Sequence, residues 1–458
     1  MTASVFPLTL NARQMLGRFR TLAGLDFHIM VTLLFRGWSV IAGGITVILL
    51  PLLLSPTEQG YYFTFASVLA LQVFFELGLN QIVMQLVSHE VAHLTKSTDG
   101  KLTGDPSHLG RLSSLARLLQ HWYVVVAVLF ALVCGCAGAV FFSLTGTTPI
   151  SVWIGPWMVL VCATAVNLWL SPGLAVMEGC GQVGQVARLR MVQSMMGYIC
   201  LWAALLTGAG LWVAIAVPVI SAACTFYWLK YSGNMMRWLA HRVQDTQHKM
   251  HWRTDIFPLQ WRIALSWASG YLIFSLFTPV VFARHGAVAA GQLGMALAVF
   301  SAISTIGMSW VNANAPQFTM LIARKERHQL NRLFRAVFIR STTAIALIAI
   351  SFTCMAWYLT THHVQWILRL APPPVLAVLT IVTIINSMIF AMVIYMRAHR
   401  EEPMLTQSIV IGLMIALMIY FCGTTSVLMM MSGYMMITLF IGLPWTVWLF
   451  LKYKTRSI

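Results

Sequence analysis

Long apolar stretches make up most of this chain and constrain its fold more than any other feature. An α-helix needs about 20 mostly apolar residues to cross the hydrocarbon core of a membrane. We predict spanning helices near residues 29–54, 60–86, 118–143, 155–176, 190–209, 211–231, 261–283, 288–310, 337–358, 373–396, 405–423 and 425–451. The sequence therefore predicts an all-α polytopic membrane protein of about twelve transmembrane helices.

Charged side chains are scarce, which supports the same fold class. Of the 458 residues, 59% are hydrophobic and 9% are charged, whereas a soluble domain carries about 25% charged residues. So few charges cannot cover a water-exposed surface of this size, and lipid must contact most of the outside. The composition therefore excludes a soluble enzyme.

The positive charges lie on one side of the predicted topology. The formal net charge is +17. With an internal N-terminus, all but Arg36, Arg284 and Arg369 of the 29 lysines and arginines fall in cytoplasmic segments. Such an excess is typical of the cytoplasmic loops of membrane proteins. We therefore expect a multi-pass protein of a bacterial inner membrane with both termini in the cytoplasm, and no nucleic-acid partner.

A basic segment near the middle of the chain divides the predicted helices into two groups. We expect a cytoplasmic tail at 1–28, a six-helix N-lobe at 29–231, a cytoplasmic linker at 232–260, a six-helix C-lobe at 261–451 and a cytoplasmic tail at 452–458. The linker fits either an amphipathic stretch on the lipid surface or a plain basic connection. Each lobe pairs a proline-containing helix with a glycine-containing one, at Pro51 and Gly60 and at Pro279 and Gly294. Internal repeats of this kind are a known transporter architecture, with the substrate path between them.

Two ionisable side chains lie deep within the predicted spans of the first lobe. Arg36 is about 10 Å deep in the first span and Glu76 about 15 Å deep in the second, at 1.5 Å per helical residue. Each such residue costs about 2.5–3.5 kcal/mol on insertion scales and so needs a reason. Their similar depth predicts an ion pair. It is either a structural pair, with a snorkelling Arg36 as a variant, or a cationic site in which Glu76 tunes the charge or carries protons.

Polar residues recur at helical spacing in two predicted spans. Gln72, Glu76 and Asn80 repeat every four residues in the second span and therefore share one face. A similar stripe in the eighth span consists of Ser301, Thr305, Ser309 and Asn312. Such stripes either form hydrogen bonds between helices or line a water-filled cavity between the lobes.

Two arginines lie near the predicted outer interface, against the general charge asymmetry. Arg284 and Arg369 are candidates for guiding an anion toward an exit. They are equally compatible with ordinary anchoring of helix ends at the membrane surface.

The sequence indicates no metal and no cofactor. The segment His89–His93 matches the HExxH pattern of zinc proteases, but it lies at the end of a span and lacks a third ligand at metzincin spacing. There is no GxxxxGK[ST] motif for ATP, and the eight cysteines include no CxxC pair. Energy would come from a proton or sodium gradient, from the substrate gradient or from a partner protein.

Seven short segments, in a fixed order along the chain, carry a family resemblance. They are Pro51–Phe65, Phe74–Leu79, Ser88–Leu94, Glu178–Arg190, Ala290–Met295, Ala315–Phe318 and Tyr395–Pro403. Together they resemble the polysaccharide-unit flippases, the O-antigen and capsule exporters of the multidrug/oligosaccharidyl-lipid/polysaccharide (MOP) exporter superfamily. The similarity extends from about residue 30 to 405.

The resemblance implies two six-helix lobes that form a V around a central cavity, as in MATE-like proteins of that superfamily. It also implies a polyprenyl-diphosphate-linked oligosaccharide as the substrate, moved from the cytoplasmic to the outer leaflet. The diphosphate and sugars cannot cross about 30 Å of hydrocarbon unaided, whereas the lipid tail can stay in lipid. The expected partners are this substrate, membrane lipid and other polysaccharide-assembly proteins.

A cavity for such a substrate needs cations for the diphosphate and hydroxyl or amide groups for the sugars. Arg36 is the first candidate for the diphosphate, with Arg284 and Arg369 as weaker ones and Glu76 as a possible modulator of Arg36. Candidates for the sugars are Gln72, Asn80, Ser309 and Asn312, with Trp38 and Trp310 as stacking faces.

Two other classes of function remain open. A multidrug or cation antiporter of the same superfamily would need acidic residues in its cavity, and Glu76 is the only deeply placed carboxylate. A membrane-embedded glycan-processing enzyme would need larger outside loops than those around Leu144–Ile154 and Leu359–Pro372.

Overall fold

The computed structural model describes residues 27–96, 102–231, 239, 250, 252–399 and 404–456, although not every side chain within these ranges. The side chains of residues 27–36, and so that of Arg36, are outside the description. Residues 1–26 of the tail predicted at 1–28, and most of the linker predicted at 232–260, also lie outside the described residues.

The first half of the described chain contains eight α-helices and one pair of short strands. The helices are α1 (Phe27–Leu53), α2 (Pro56–Leu69), α3 (Val73–Glu76), α4 (Leu79–Val91), α5 (Pro106–Thr145), α6 (Ile150–Gly179), α7 (Val183–Leu206) and α8 (Ala216–Tyr231). Between α4 and α5, strands β1 (Leu94–Lys96) and β2 (Leu102–Gly104) pair antiparallel, with Thr95 opposite Thr103.

The described residues of the second half form seven further α-helices. They are α9 (Phe257–Phe274), α10 (Phe277–Ala323), α11 (Arg327–Thr361), α12 (Pro373–Arg397), α13 (Leu405–Cys422), α14 (Val427–Ile437) and α15 (Leu443–Arg456). A π-helical turn, Thr438–Gly442, joins α14 to α15, so that these two form one continuous span.

The helical segments correspond to the predicted spans. In the described chain, nine segments are long and apolar enough to cross a membrane, and the bent pair Pro56–Glu76 and Leu79–Val91 adds a tenth. The longest segment, Gln260–Ala323, contains both the seventh and the eighth predicted span. Gly286, with a φ of 86°, interrupts the helix between these two spans. With the 27-residue α1, these segments account for the twelve predicted spans, and the all-α polytopic membrane fold is confirmed.

The two faces of the membrane differ in charge. The end of α10 and the start of α11 reach the same face as the end of α4 and the start of α5. The cations on the described part of this face include Arg111, Arg117, Arg324, Lys325, Arg327, Arg332 and Arg335. We call this face the basic side and the other face the opposite side. That the basic side is cytoplasmic remains a prediction from the charge asymmetry.

The second span is broken near its middle, which the sequence analysis did not predict. Leu77 and Gly78 adopt left-handed backbone conformations, with φ values of 50° and 67°, and the helix axis bends by 42°. A left-handed leucine costs about 1–2 kcal/mol, so that the surrounding packing must stabilise the break. A Cβ atom at Gly78 would lie 2.3 Å from Cγ2 of Ile263 in α9, so that the break also allows close approach of the two halves.

The helices pack mainly within their own half of the chain. In the first half α1 packs against α7, α5 against α6 and α7 against α8, and in the second half α10 packs against α11 and α9 against α13. Between the halves, α2 packs along α10 and α3 contacts α9. The second span is therefore the main element that joins the halves, while their exact division into two six-helix lobes stays a prediction.

Candidate functional site

A cavity of about 520 Å³ lies near the middle of the spanning helices, mostly within the second half. Its walls come from α2, α9, α10, α12 and α14. Eight of the described lining side chains carry a hydroxyl or amide group: Ser67, Ser275, Thr278, Ser301, Ser304, Thr383, Asn386 and Tyr434. The aromatic lining residues are Phe63, Phe274, Phe277, Phe300, Phe390 and Tyr434. No charged residue occurs in the described lining. We call this space the mid-membrane cavity.

Small residues on facing helices leave the mid-membrane cavity open. The lining includes Ala66 on α2, Ala70 in the 3₁₀ turn that follows it, and Gly294 and Ala298 on α10. One side of the lining is held by Asn386, whose Nδ2 donates a 2.9 Å hydrogen bond to the Tyr434 hydroxyl. Hydroxyl groups beside aromatic faces can bind an uncharged polar ring by hydrogen bonds and by packing on its C–H groups.

A close contact between α2 and α10 closes the gap between these two helices on the opposite side of the cavity. A Cβ atom at Gly60 would lie 1.9 Å from the main-chain oxygen of Ala287, and one at Gly291 would lie 2.8 Å from the Gly60 nitrogen. Small residues allow transmembrane helices to approach backbone to backbone in this way. We call Gly60, Ala287 and Gly291 the glycine contact.

Buried polar and aromatic side chains reinforce the glycine contact. Nε2 of the buried Gln59 donates one 3.0 Å hydrogen bond to the Gly291 carbonyl and another to the Arg369 carbonyl. The ring of Tyr61, which is fully buried, meets that of Phe282 with 4.9 Å between centroids. The halves are therefore held together on the opposite side by specific contacts as well as by close packing.

The two outer arginines lie near this closure. Arg369 lines a smaller cavity of about 320 Å³ with Gln59, Gln292 and Gln365, and among the described residues its buried Nη1 has no hydrogen-bond partner. Arg284 is exposed, two residues before the interruption at Gly286. Both lie on the opposite side and outside the mid-membrane cavity, and their role in guiding an anion remains a prediction.

A polar network crosses the break in the second span. The Tyr123 hydroxyl on α5 donates a 3.0 Å hydrogen bond to Oδ1 of Asn80, and Nδ2 of Asn80 donates a 2.7 Å hydrogen bond to Oε1 of Glu76. Glu76 ends α3 and Asn80 is in the first turn of α4, so that the network connects both sides of the break. In the described part of the chain, no lysine or arginine nitrogen lies within 4.0 Å of the Glu76 carboxylate. The predicted Arg36–Glu76 ion pair is untested, because the Arg36 side chain is not described.

The other predicted site residues lie outside the mid-membrane cavity. Gln72 is exposed near the middle of the second span, and Ser309 and Asn312 are exposed on the part of the eighth span nearer the basic side. Polar side chains exposed at such positions fit a water-filled cleft better than lipid. Trp38 packs against Trp202, with 6.1 Å between ring centroids. Trp310 is 45% exposed in a separate groove along α11.

The sequence analysis missed most of the cavity lining. Of the polar lining residues, only Ser301 belongs to a predicted stripe. Thr383 and Asn386 lie on one face of α12, and Tyr434 faces them from α14. A search for every polar residue in the spans would have found Thr383 and Asn386. It would not have shown that they line the same cavity as Ser67 of the other half.

The HExxH segment forms a structural contact at the basic side. Helix α4 ends at Val91, so that His93 lies beyond the helix on which the motif would place it. Glu90, which is 2% exposed, pairs with His108 at 2.5 Å and with Arg111 at 3.1 Å. Among the residues described, no group of three or more His, Cys, Asp or Glu side chains is placed to hold a metal ion.

We predict that Glu90→Gln destabilises the protein, because Arg111 and His108 lose the carboxylate they share. The free energy of unfolding should fall by about 1–3 kcal/mol, as expected when a buried charged hydrogen-bond partner is removed. The control is Glu178→Gln, since Glu178 pairs with a half-exposed Arg190 at 3.0 Å and should contribute about 0–1 kcal/mol. Thermal unfolding in detergent measures both, and an equal or smaller effect of Glu90→Gln would contradict the prediction.

Comparisons with known proteins show which solved structures have a similar fold. No protein-family model and no curated protein matches the chain. An inward-facing multidrug resistance MATE family transporter of the MOP superfamily is 12% identical, with a TM-score of 0.61 over 94% of this chain and 99% of its own. The lipid II flippase MurJ, in an inward closed conformation, is 11% identical, with a TM-score of 0.54 over 94% of this chain and 90% of its own. A MOP superfamily transporter from Pyrococcus furiosus is 13% identical, with a TM-score of 0.51 over 93% and 94%.

The chain therefore has the all-α, multi-pass fold of MOP superfamily transporters. That fold is common to a drug transporter and to a lipid flippase. The likeness is therefore one of fold, and it identifies no substrate for this chain.

Proposed function

We propose that the protein is a flippase that moves polyprenyl-diphosphate-linked oligosaccharide units from the cytoplasmic to the outer leaflet for surface polysaccharide biosynthesis. The observation that carries this proposal is the lining of the mid-membrane cavity. It combines eight hydroxyl or amide side chains with several aromatic rings, and its described lining carries no charge. This chemistry suits sugar rings, which are uncharged, offer many hydroxyl groups and pack against aromatic faces.

The diphosphate requires a different environment from the sugars. It needs cations, and Arg36 in α1 is the first candidate because it is the one arginine that the sequence places more than one helical turn inside a predicted span. A guanidinium group can bind phosphate oxygens in a bidentate manner. The polyprenyl tail stays in lipid throughout, so that only the polar head has to pass between the halves.

The closure on one side supports an alternating-access mechanism. The glycine contact joins the halves on the opposite side, whereas Ser309 and Asn312 are exposed on the part of the eighth span nearer the basic side. We propose that the substrate head enters from the basic side and that the glycine contact then separates to release it. The break at Leu77 and Gly78 would act as a hinge, because a left-handed turn interrupts the helical hydrogen bonds there.

Glu76 is the candidate site for a coupling ion in this scheme. Glu76, held by Asn80 and Tyr123 beside the helix break, could bind a proton or a sodium ion in the first half. Ionisable residues inside spans often mark ion pathways. We propose this network as the coupling site, with the identity of the ion open, and other polysaccharide-assembly proteins as partners at the membrane.

A multidrug or cation antiporter is the second candidate, and Glu76 is the observation that favours it. A cationic drug would seek a carboxylate, and one similar structure is that of a multidrug transporter. Against this candidate, Glu76 lies outside the lining of the mid-membrane cavity, whose described residues include no acid. A membrane-embedded glycan-processing enzyme, the third candidate, gains support from none of these contacts.

A comparison of a strain that lacks the gene with the same strain carrying the gene on a plasmid separates the first two candidates. The flippase proposal predicts that lipid-linked oligosaccharide accumulates on the cytoplasmic leaflet and that surface polysaccharide is lost, with unchanged sensitivity to cationic drugs. Increased drug sensitivity with normal surface polysaccharide would instead support the antiporter and overturn the proposal.

For Arg36 we predict that Arg36→Ala lowers export at least tenfold at equal protein level, because the diphosphate loses its cation. The expectation for Arg36→Lys is an intermediate rate, since lysine keeps the charge but not the planar fork. Arg327→Ala, which removes an exposed arginine from the basic side, serves as the control. Surface polysaccharide in the complemented deletion strain provides the readout, and normal export by Arg36→Ala would show that the role given to Arg36 is wrong.

A further inference from the structure

A groove of about 720 Å³ lies between the start of α11 and the end of α15, on the basic side. Its described lining consists of Asn331, Arg332, Phe334, Arg335, Ala336, Phe338, Ile339, Phe450 and Lys454. Both helix ends lie where a spanning helix leaves the membrane. We call this the basic groove, and it is separate from the mid-membrane cavity.

Aromatic packing builds a firm apolar floor for the basic groove. The ring of Phe334 lies 5.1 Å from that of Phe450 and 5.6 Å from that of Phe338, between centroids. The buried ring of Tyr395 on α12 supports them from behind, 4.9 Å from Phe334 and 5.1 Å from Phe450. Interlocked rings of this kind hold a fixed surface without a ligand.

The rim of the basic groove is cationic. Arg332, Arg335 and Lys454 are exposed, and no described acidic side chain lies within 4.0 Å of any of their charged nitrogens. Arg332 and Arg335 are three residues apart on α11 and therefore share one face of the helix. Three positive groups around one apolar floor are complementary to a ligand with an anionic head and a hydrocarbon body.

The apolar path continues from the groove toward the membrane interior. A shallower groove, lined by Trp310, Ile339, Arg340, Thr343, Ala344 and Leu347, shares Ile339 with the basic groove. From Ile339 to Leu347, α11 rises by about 12 Å. A hydrocarbon chain can follow this path, whereas a free inorganic anion would use only the rim.

We propose that the basic groove binds an anionic phospholipid, with its phosphate headgroup at Arg332, Arg335 and Lys454 and an acyl chain over Phe338 and Ile339. Basic pockets between helices at the cytoplasmic membrane surface are suited to anionic lipid headgroups. The lipid would steady the start of α11 against the end of α15. This inference does not depend on the nature of the transported substrate.

The test titrates purified protein with short-chain phosphatidylglycerol, phosphatidylcholine and inorganic phosphate, and measures binding by native mass spectrometry. We expect phosphatidylglycerol to bind far more tightly than the other two. The triple variant R332Q/R335Q/K454Q should weaken phosphatidylglycerol binding at least tenfold, since each cation near an anionic headgroup contributes about fivefold.

The matched control is R324Q/K325Q/R327Q, which removes three exposed cations just before the groove and leaves its lining intact. This variant should bind phosphatidylglycerol like the wild type. Equal loss in both triple variants would mean a general charge effect and would overturn the site. Binding of phosphatidylcholine or of inorganic phosphate as tight as that of phosphatidylglycerol would overturn the assigned ligand.

Two single variants keep the test decisive if the groove triple variant does not fold. Arg335→Gln should weaken phosphatidylglycerol binding about fivefold, and Arg335→Lys should restore most of it, because the positive charge is kept. Unchanged phosphatidylglycerol binding by Arg335→Gln would also contradict the proposal.

Discussion

Replacing Gly60 by valine is expected to abolish transport while the protein still folds. A Cβ atom at this position would lie 1.9 Å from the Ala287 oxygen and 2.5 Å from the Ala287 carbonyl carbon. These neighbours are backbone atoms, so that only separation of α2 from α10 relieves the clash. Overpacking of about 3 kcal/mol would shift the equilibrium away from the closed state about 100-fold. A protein that cannot close on the opposite side cannot complete a cycle of alternating access.

Two measurements check the Gly60→Val prediction. Transport should fall at least 100-fold, and a cysteine introduced at the buried Ala290, beside the glycine contact, should react faster with a membrane-impermeant maleimide. Gly44→Val in α1 is the matched control, since a Cβ atom at Gly44 has no heavy atom within 4 Å to meet, and it should transport normally. Normal transport by Gly60→Val would rule out the glycine contact as part of the cycle.

The second large effect is expected from Ala298→Trp, which places an indole ring in the mid-membrane cavity. Ala298 lines this cavity on α10, so that the larger side chain enters open space instead of the packed core. Transport should fall at least tenfold because the ring occupies the volume proposed for the sugars. The free energy of unfolding should change by less than about 1 kcal/mol, as for a substitution away from the packed core.

Leu132→Trp provides the control for the introduced ring. Leu132 on α5 is 60% exposed and lies outside the cavity. Transport and thermal unfolding of both variants should be measured at equal protein level. Normal transport by Ala298→Trp, or equal loss in the control variant, would mean that this cavity is not the substrate path.

Much of the fold follows from the distribution of apolar residues. The predicted tenth and eleventh spans, 373–396 and 405–423, agree closely with α12 (Pro373–Arg397) and α13 (Leu405–Cys422). Proline before α12 and short polar connections mark these ends clearly in the sequence. The third span is less well predicted: α5 has 40 residues and begins at Pro106, because its first turns are polar and leave the membrane.

The break in the second span could not be predicted from local sequence. Glycine is common within transmembrane helices, and leucine rarely adopts a positive φ. The need for glycine at position 78 comes from the close approach of Ile263 in α9, which is far away in the sequence. The same holds for Gly60, whose close neighbours are Ala287 and Gly291 in the other half.

The chemical character of the candidate site could be predicted from the sequence, but its position in the fold could not. The sequence indicated polar groups within the spans, and the structure gathers hydroxyl and amide groups in one cavity. It could not indicate that Asn386 and Tyr434 meet there, because hydropathy does not show which helices are neighbours. Glu76 was identified from its depth and Asn80 from its place on the same helical face, whereas the hydrogen bond from Tyr123 on α5 to Asn80 depends on the fold.

The most direct test of the proposed function is a reconstitution of the purified protein in liposomes that carry a lipid-linked oligosaccharide in one leaflet. The sugar head should become accessible to an impermeant glycosidase on the other side with time, and Gly60→Val and Ala298→Trp should prevent this. Glycan that stays in its original leaflet, while a cationic dye crosses the same membranes, would contradict the account.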